Sequence, residues 1–235
     1  MTSLDSKPQI VVVGNGMVGH HFVEQLHQSD ANVEITVLCG ESRLAYDRVY
    51  LSSFFSGASA DDLALTTPAQ YAEWGVNVVT NALVTDIDRD NNKVTTSEGQ
   101  VFSYDKLVLA TGSYPFVPPI PGNDQEHCLV YRTIDDLLAI EASAAVSKVG
   151  VVVGGGLLGL EAANALKQAG LDTHVVEFAP QLMAVQLDQA GGNVLKDKIE
   201  ALGVMVHTQK ATQTIEAGDT CRYKMVFADG TALET

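Results

Sequence analysis

The sequence predicts an α/β fold built from two units of one design, and three observations predict it. A short β-branched run, Ile10-Val11-Val12-Val13, ends in Gly14-Asn15-Gly16-Met17-Val18-Gly19, and 140 residues further on Val151-Val152-Val153 ends in Gly154-Gly155-Gly156-Leu157-Leu158-Gly159. Each run reads as a buried strand entering a glycine turn. After the first turn Phe22, Val23 and Leu26 recur at helical spacing; after the second Leu160, Ala163 and Leu166 do so, with Gly170 as the stop. A new strand follows each helix, over residues 34–38 and 173–176. Strand, G-x-G-x-x-G, helix, strand therefore occurs twice.

Between the copies, residues 76–79 and 83–87 have strand character, and Asp90-Asn91-Asn92 signals a turn before a strand at 93–96. Tyr104-Asp105-Lys106-Leu107-Val108-Leu109-Ala110-Thr111-Gly112 reads as a buried strand ending in small residues. The prolines of Tyr114-Pro115-Phe116-Val117-Pro118-Pro119-Ile120-Pro121-Gly122 forbid a helix and suit a stiff extended crossover. The domain boundary is placed there, giving 1–118 and 119–235.

A length of 235 residues holds one large or two modest domains. With 46% hydrophobic and 18% charged residues the chain supports a substantial core and is not disordered in character. A net charge of −15 argues against non-specific binding to nucleic acid or to an anionic membrane, both of which demand surplus Lys and Arg. The amino terminus has no signal-peptide core and no apolar run approaches the ~18 residues of a membrane span, so a cytoplasmic location is expected. Cys39, Cys128 and Cys221 are odd in number and widely spaced, which disfavours a disulfide framework, a metal site or a dithiol redox pair. The six histidines form no ligand spacing. Tyr71 and Trp74, three apart, read as the core face of a helix.

One G-x-G-x-x-G can be only a tight turn. Two, each in the strand-to-helix frame, point to dinucleotides. The first glycine makes the turn, the second admits a pyrophosphate to the backbone and the third lets helix and strand pack. The anion then sits on N–H groups at the positive end of a helix, so an acidic protein needs no basic patch. The fingerprint also asks for an acid near the end of the next strand to accept from a ribose. Glu177 meets that demand, 18 residues after Gly159 and directly behind Val175-Val176. In the first copy Cys39 stands there and Glu41 comes two positions late. Glu41 is read as the substitute ribose ligand, with an exposed loop carboxylate as the open alternative.

These turns, Ala110-Thr111-Gly112 before the crossover, and Tyr131-Arg132-Thr133-Ile134-Asp135-Asp136-Leu137 resemble the FAD-dependent pyridine-nucleotide oxidoreductases of the rubredoxin/ferredoxin reductase type. Gly14-Asn15-Gly16-Met17-Val18-Gly19-His20, Ala45-Tyr46-Asp47-Arg48-Val49-Tyr50-Leu51-Ser52-Ser53, Glu177-Phe178-Ala179-Pro180-Gln181-Leu182-Met183 and Gln186-Leu187-Asp188-Gln189 with Gly191-Gly192 resemble the amino-terminal reductase region of NAD(P)H-dependent nitrite reductase large subunits. The resemblance implies two Rossmann-like domains of glutathione-reductase type, the first for FAD and the second for NAD(P)H. It implies that Gly14, Gly16, Met17 and Gly19 cradle the flavin pyrophosphate, with Glu41 near the adenine ribose, and that Arg48, Ser53, Ala82, Ala110, Thr111, Gly112 and Arg132 stand at FAD-contacting positions. In the second unit it implies Gly154, Gly156, Leu158 and Gly159 for the pyrophosphate, Glu177 for the ribose and Glu161 reaching toward the nicotinamide. Surface solvation of Arg48 and Arg132, and a plain first-turn helix acid at Glu161, stay open as alternatives.

Two departures accompany the resemblance. The wider family's flavin-facing lysine is replaced by Ser53, and the family's later Gly-Asp segment for the FAD ribitol is missing, so the chain reads as carboxy-terminally incomplete and is expected to hold FAD poorly by itself. The implied chemistry is hydride transfer from NADH to FAD and onward electron flow to an iron–sulfur cluster and sirohaem in downstream domains, reducing nitrite to ammonia, with a small nitrite reductase subunit as a further expected partner. A stand-alone NADH-dependent reductase for a small carrier such as rubredoxin or ferredoxin, and a non-catalytic dinucleotide-binding module, are the alternatives.

Overall fold

A computed structural model of the protein describes residues 7–235. The chain forms two compact units, one of residues up to Tyr50 with Ser59–Tyr114, the other of Leu51–Ala58 with Pro115–Thr235. In the first, β1 (Gln9–Val13), α1 (Met17–Gln28), β2 (Glu34–Leu38), α2 (Pro68–Glu73) and β3 (Val76–Val79) lead into an antiparallel meander of β4 (Val84–Asp88), β5 (Lys93–Thr96) and β6 (Val101–Ser103). The last strand, β7 (Lys106–Leu109), returns beside β1, and the sheet runs β3-β2-β1-β7, parallel throughout.

Alternation along the strands buries both faces of this sheet. Ile10, Val12, Ile35, Val37 and Val76 pack with Val23 and Tyr71 of the helices, whereas Val11, Val13 and Leu38 pack with Ala82 and Val94 on the meander side. A strand covered on both faces is apolar at every position, the pattern that the run Ile10-Val11-Val12-Val13 carries.

The second unit contains a 3-10 turn (Leu51–Ser56), α3 (Ile134–Ala144), β8 (Val149–Val153), α4 (Leu157–Gln168), β9 (Asp172–Val176), α5 (Gln189–Ala201) and β10 (Val204–His207). A meander of β11 (Thr212–Ala217), β12 (Tyr223–Phe227) and β13 (Ala232–Glu234) follows. Val175, Val204 and Val206 pack with Ala163 and Leu182, and Val176 packs with Met225 and Phe227 across the sheet, so the layers repeat those of the first unit.

Two strands expected to be buried are not. β7 is an edge strand, with Leu109 59% exposed. β8 pairs with β9 on one side, and among the described residues no strand pairs with its outer edge; Val151 and Val152 are half-buried and Val153 is 44% exposed, whereas Val12 of β1 is fully buried between β2 and β7. Beside β8 lies an apolar cleft of about 740 Å³ lined by Phe116, Leu129, Val151, Leu158 and Tyr223, among others. Pairing partners, not the residues of the run, decide the difference.

Several quoted motif residues serve as helix caps. Thr133 and Asp136 form a reciprocal capping box at α3, and the Asp188 carboxylate accepts from Gly191 N–H at 2.8 Å at the start of α5. Caps of this kind are worth ~1 kcal/mol each.

Candidate functional site

Both glycine turns fall at strand-to-helix junctions, and the structure gives each glycine a separate reason. Gly14 and Gly154 adopt φ of 103° and 115°, a region that other residues avoid. A Cβ on Gly14 would lie 2.3 Å from Ala110 O and 3.2 Å from Thr111 N, so Ala110 and Thr111 pass directly beside the first turn, with Gly112 next in the chain. Gly19 and Gly159 sit inside α1 and α4, where a Cβ would come within 2.1 and 2.0 Å of the carbonyl oxygens of Gly14 and Gly154. These four glycines are demanded by the fold.

Gly16 and Gly156 are different. They are the N-caps of α1 and α4, in ordinary extended conformations with φ of −85° and −83°. A Cβ on Gly16 would meet only Arg48 Nε, at 3.8 Å, and one on Gly156 would meet nothing within 4 Å. The protein by itself leaves room for a side chain at both places. Each turn therefore keeps open space against the first N–H groups of a twelve-residue helix, the place where an anion is best held. Exposed apolar side chains stand at the mouths: Val18 at the first, Leu157, Leu158 and Phe178 at the second.

Around the first turn Glu41 accepts from Tyr46 Oη at 2.7 Å and pairs with Arg48, whose guanidinium lies over the Tyr46 ring. The backbone N–H groups of Asn81 and Ala82 bond to the carbonyls of Glu41 and Cys39 at 3.0 and 2.8 Å, so Gly16, Glu41, Arg48 and Ala82 form one neighbourhood. Met17 is the first residue of α1. Ser53, in the 3-10 turn, and Arg132, just before α3, belong to the second compact unit.

In the second unit the Glu177 carboxylate accepts from Gly155 N–H and from Ala179 N–H, both at 2.6 Å. It is thus tied to the middle of the glycine turn, with further lone pairs left for a ribose. Gly155 must lack a side chain, because a Cβ would lie 2.5 Å from Leu182 and 3.1 Å from Glu177 Oε2. Glu161, the fifth residue of α4, lies just past the first helical turn, so it is not a first-turn helix acid; it lies near the buried Tyr131 phenol, whose pKa is pushed up to about 12 by burial and then by the Glu161 charge. Leu158 is exposed at the helix start.

Sequence reasoning missed three arrangements. Cys39 is buried; its thiol donates to Arg43 O at 3.3 Å and is pushed up in pKa mainly by burial. Asn15, His20 and Tyr71 form a buried hydrogen-bonded chain. His174 and His207, on adjacent strands, share a hydrogen bond of 2.9 Å between ring nitrogens. For the last two, no periodicity announces contacts between residues 33 to 56 positions apart. Among the described residues no group of three His, Cys, Asp or Glu is placed to hold a metal ion.

The histidines set an acid limit. Burial is the largest cause lowering the pKa of His20, His174 and His207 below 6.5, so all three are held neutral in the folded chain. The unfolded chain takes up their protons first, so their contribution is complete above pH 6.5 and is lost as pH falls from 6.5 through the lower native values. Thermal melts should keep their midpoint from pH 8 to 7 and fall as the pH is lowered beneath 6.5. A flat midpoint across that window contradicts the assignment. Asp229 and Glu234, held down by hydrogen bonds, Glu234 to about 2, act only below the ordinary carboxylate range.

The profile of the pyridine nucleotide-disulphide oxidoreductases matches residues 8–235. The chain belongs to that family. It is 53% identical over 232 residues to the NADH nitrite reductase large subunit of Escherichia coli, covering 97% of this chain and 27% of that protein. It is 36% identical to the assimilatory nitrate reductase electron transfer subunit of Bacillus subtilis, over 97% of this chain and 30% of that one. The chain thus spans about a quarter to a third of the length of these relatives. Among solved structures, a ferredoxin reductase from Rhodopseudomonas palustris superposes with a TM-score of 0.89 at 25% identity, covering 97% of this chain and 56% of the other. The two-unit architecture is therefore that of the family's oxidoreductases. No helix among the described residues is long and apolar enough to cross a membrane.

Proposed function

We propose that this chain is the reductase module of an NADH-dependent nitrite reductase, binding FAD at the first glycine turn and NADH at the second. The observation that carries the reading is the open space at Gly16 and Gly156, which neither backbone conformation nor packing in the protein requires. Likeness to the nitrite reductase large subunit of Escherichia coli supports the choice of nitrite as the final substrate.

On this reading the N–H groups at the starts of α1 and α4 hold the two pyrophosphates, Glu177 accepts the ribose hydroxyls of NADH, and Arg48 with Glu41 flanks the FAD side. Bound FAD supplies the step between a two-electron hydride donor and a one-electron metal acceptor. The protein contributes proximity and exclusion of water rather than a proton donor. The downstream acceptor is an iron–sulfur cluster with sirohaem elsewhere in the intact protein, in company with a small subunit.

The test uses the natural-length polypeptide. NADH added without oxygen should bleach its flavin absorbance, and nitrite should restore it. Restoration by ferredoxin or rubredoxin but not by nitrite favours a carrier reductase, and NADH binding without bleaching favours a non-catalytic module. Changing Cys39, Cys128 and Cys221 together to Ser should leave NADH-to-ferricyanide activity within a few-fold of the parent, since burial pushes the Cys39 and Cys128 thiols up and away from thiolate. Loss of flavin reduction with fold and FAD retained would put a thiol in the electron path.

A further inference from the structure

The two glycine turns are held by different means. In the second, the middle residue is Gly155, fixed by its N–H on the Glu177 carboxylate and by its carbonyl on Met183 N–H at 2.9 Å. In the first, the middle residue is Asn15, and the residue after β2 is Cys39, which offers a thiol where the second turn has a carboxylate. A thiol is a weak acceptor beside a carboxylate. The first turn therefore lacks the strong hold of the second at the matching place.

A side-chain chain stands in for it. Tyr71 O–H, from α2, donates to Asn15 Oδ1 at 2.7 Å, and His20 Nδ1, from α1, lies 2.9 Å from the same phenol oxygen. Because the phenol proton goes to Asn15, His20 donates from Nδ1, and its ring lies nearly parallel to Trp74, 6.0 Å between centroids and 13° between planes. Asn15, His20 and Tyr71 are 6, 7 and 2% exposed. Burial keeps the imidazole neutral and raises the Tyr71 phenol, so the hydrogen bonds join uncharged groups in a water-poor setting where they are electrostatically stronger. Asn15 Nδ2 has no partner, so the amide orientation leaves both of its N–H donors unsatisfied while meeting Tyr71.

We propose that Tyr71 and His20 are positioning residues for dinucleotide binding in the first unit, holding Asn15 and with it the N–H groups at the start of α1 in the geometry a pyrophosphate requires. Asn15 lies between two glycines, the most freely rotating residues of the chain, and an unheld turn must be ordered at the expense of binding. The hold approaches from the helix side of the sheet, where Tyr71 packs with Val12 and Val37. The inference rests on the assignment of the first turn to FAD.

The experiment measures FAD dissociation constants by flavin fluorescence in the natural-length polypeptide stripped of FAD, for the parent, Tyr71→Phe, Asn15→Ala and Gly16→Leu. NADH affinity and the melting midpoint are followed in each. Tyr71→Phe removes the hydrogen bond to Asn15 together with the one from His20, and is expected to weaken FAD by ~10-fold, the size of the lost buried hydrogen bond to Asn15, with NADH affinity unchanged. Asn15→Ala should do the same with a smaller change in melting, because it also removes the unpartnered Nδ2; it carries the test if Tyr71→Phe does not fold. A merely structural role would lower the midpoint and leave the FAD constant of the folded protein alone. Parent-like FAD affinity in both Tyr71→Phe and Asn15→Ala, with FAD lost in Gly16→Leu, overturns the inference. Parent-like affinity in Gly16→Leu instead overturns the FAD assignment of the turn.

Discussion

Gly156→Leu is expected to leave the fold intact and to weaken NADH by ~100-fold or more, and Gly16→Leu to do the same for FAD. The folding cost is small because a Cβ meets nothing within 4 Å at Gly156 and only the flexible Arg48 side chain at Gly16. Loss of a favourable N-cap glycine costs about 1 kcal/mol. The binding cost is larger, since the new side chain occupies the space through which a pyrophosphate reaches the helix N–H groups. Losing two charge-assisted hydrogen bonds of ~1.5–3 kcal/mol each is a factor of at least ~100 in Kd. Gly159→Leu is the contrasting variant: its Cβ would meet Gly154 O at 2.0 Å, so it should fail to fold. Calorimetric titration and thermal melts check all three. Full NADH affinity in a folded Gly156→Leu protein would remove the second turn from the site.

Cofactor choice should follow Glu177. Its carboxylate is fixed by two backbone N–H groups at 2.6 Å, and its remaining lone pairs suit the two ribose hydroxyls of NADH. The 2′-phosphate of NADPH would meet it with like charge. The expected preference for NADH is at least ~10-fold in kcat/KM, or about 1.4 kcal/mol. Glu177→Ala should narrow the ratio by weakening NADH and relieving NADPH. Phe178→Arg added to it should carry the ratio further toward NADPH, at little folding cost because Phe178 is 78% exposed. Steady-state kinetics with both cofactors decides: an equal ratio in the parent, or an unchanged ratio in Glu177→Ala, means that the second fingerprint is misread.

The sequence by itself determined the two strand–turn–helix–strand units, because β-branched runs, glycine spacing and helical periodicity are local properties and the strands at 34–38, 76–79 and 93–96 form where the local pattern sets them. It also picked out Glu177, whose place at a strand end is fixed by counting from Gly159. The fingerprint spacing likewise gave the first and third glycines of each turn to the fold and the second to a ligand, but only the tertiary structure placed Ala110 O 2.3 Å from a Cβ on Gly14, a collision with an atom far along the chain. It alone joined Asn15 to Tyr71 and Glu41 to Arg48, and it made β8 half-exposed where the like-patterned β1 is buried. Burial and side-chain pairing are set by which segments become neighbours, and a strand carries no record of whether one neighbour or two will lie beside it.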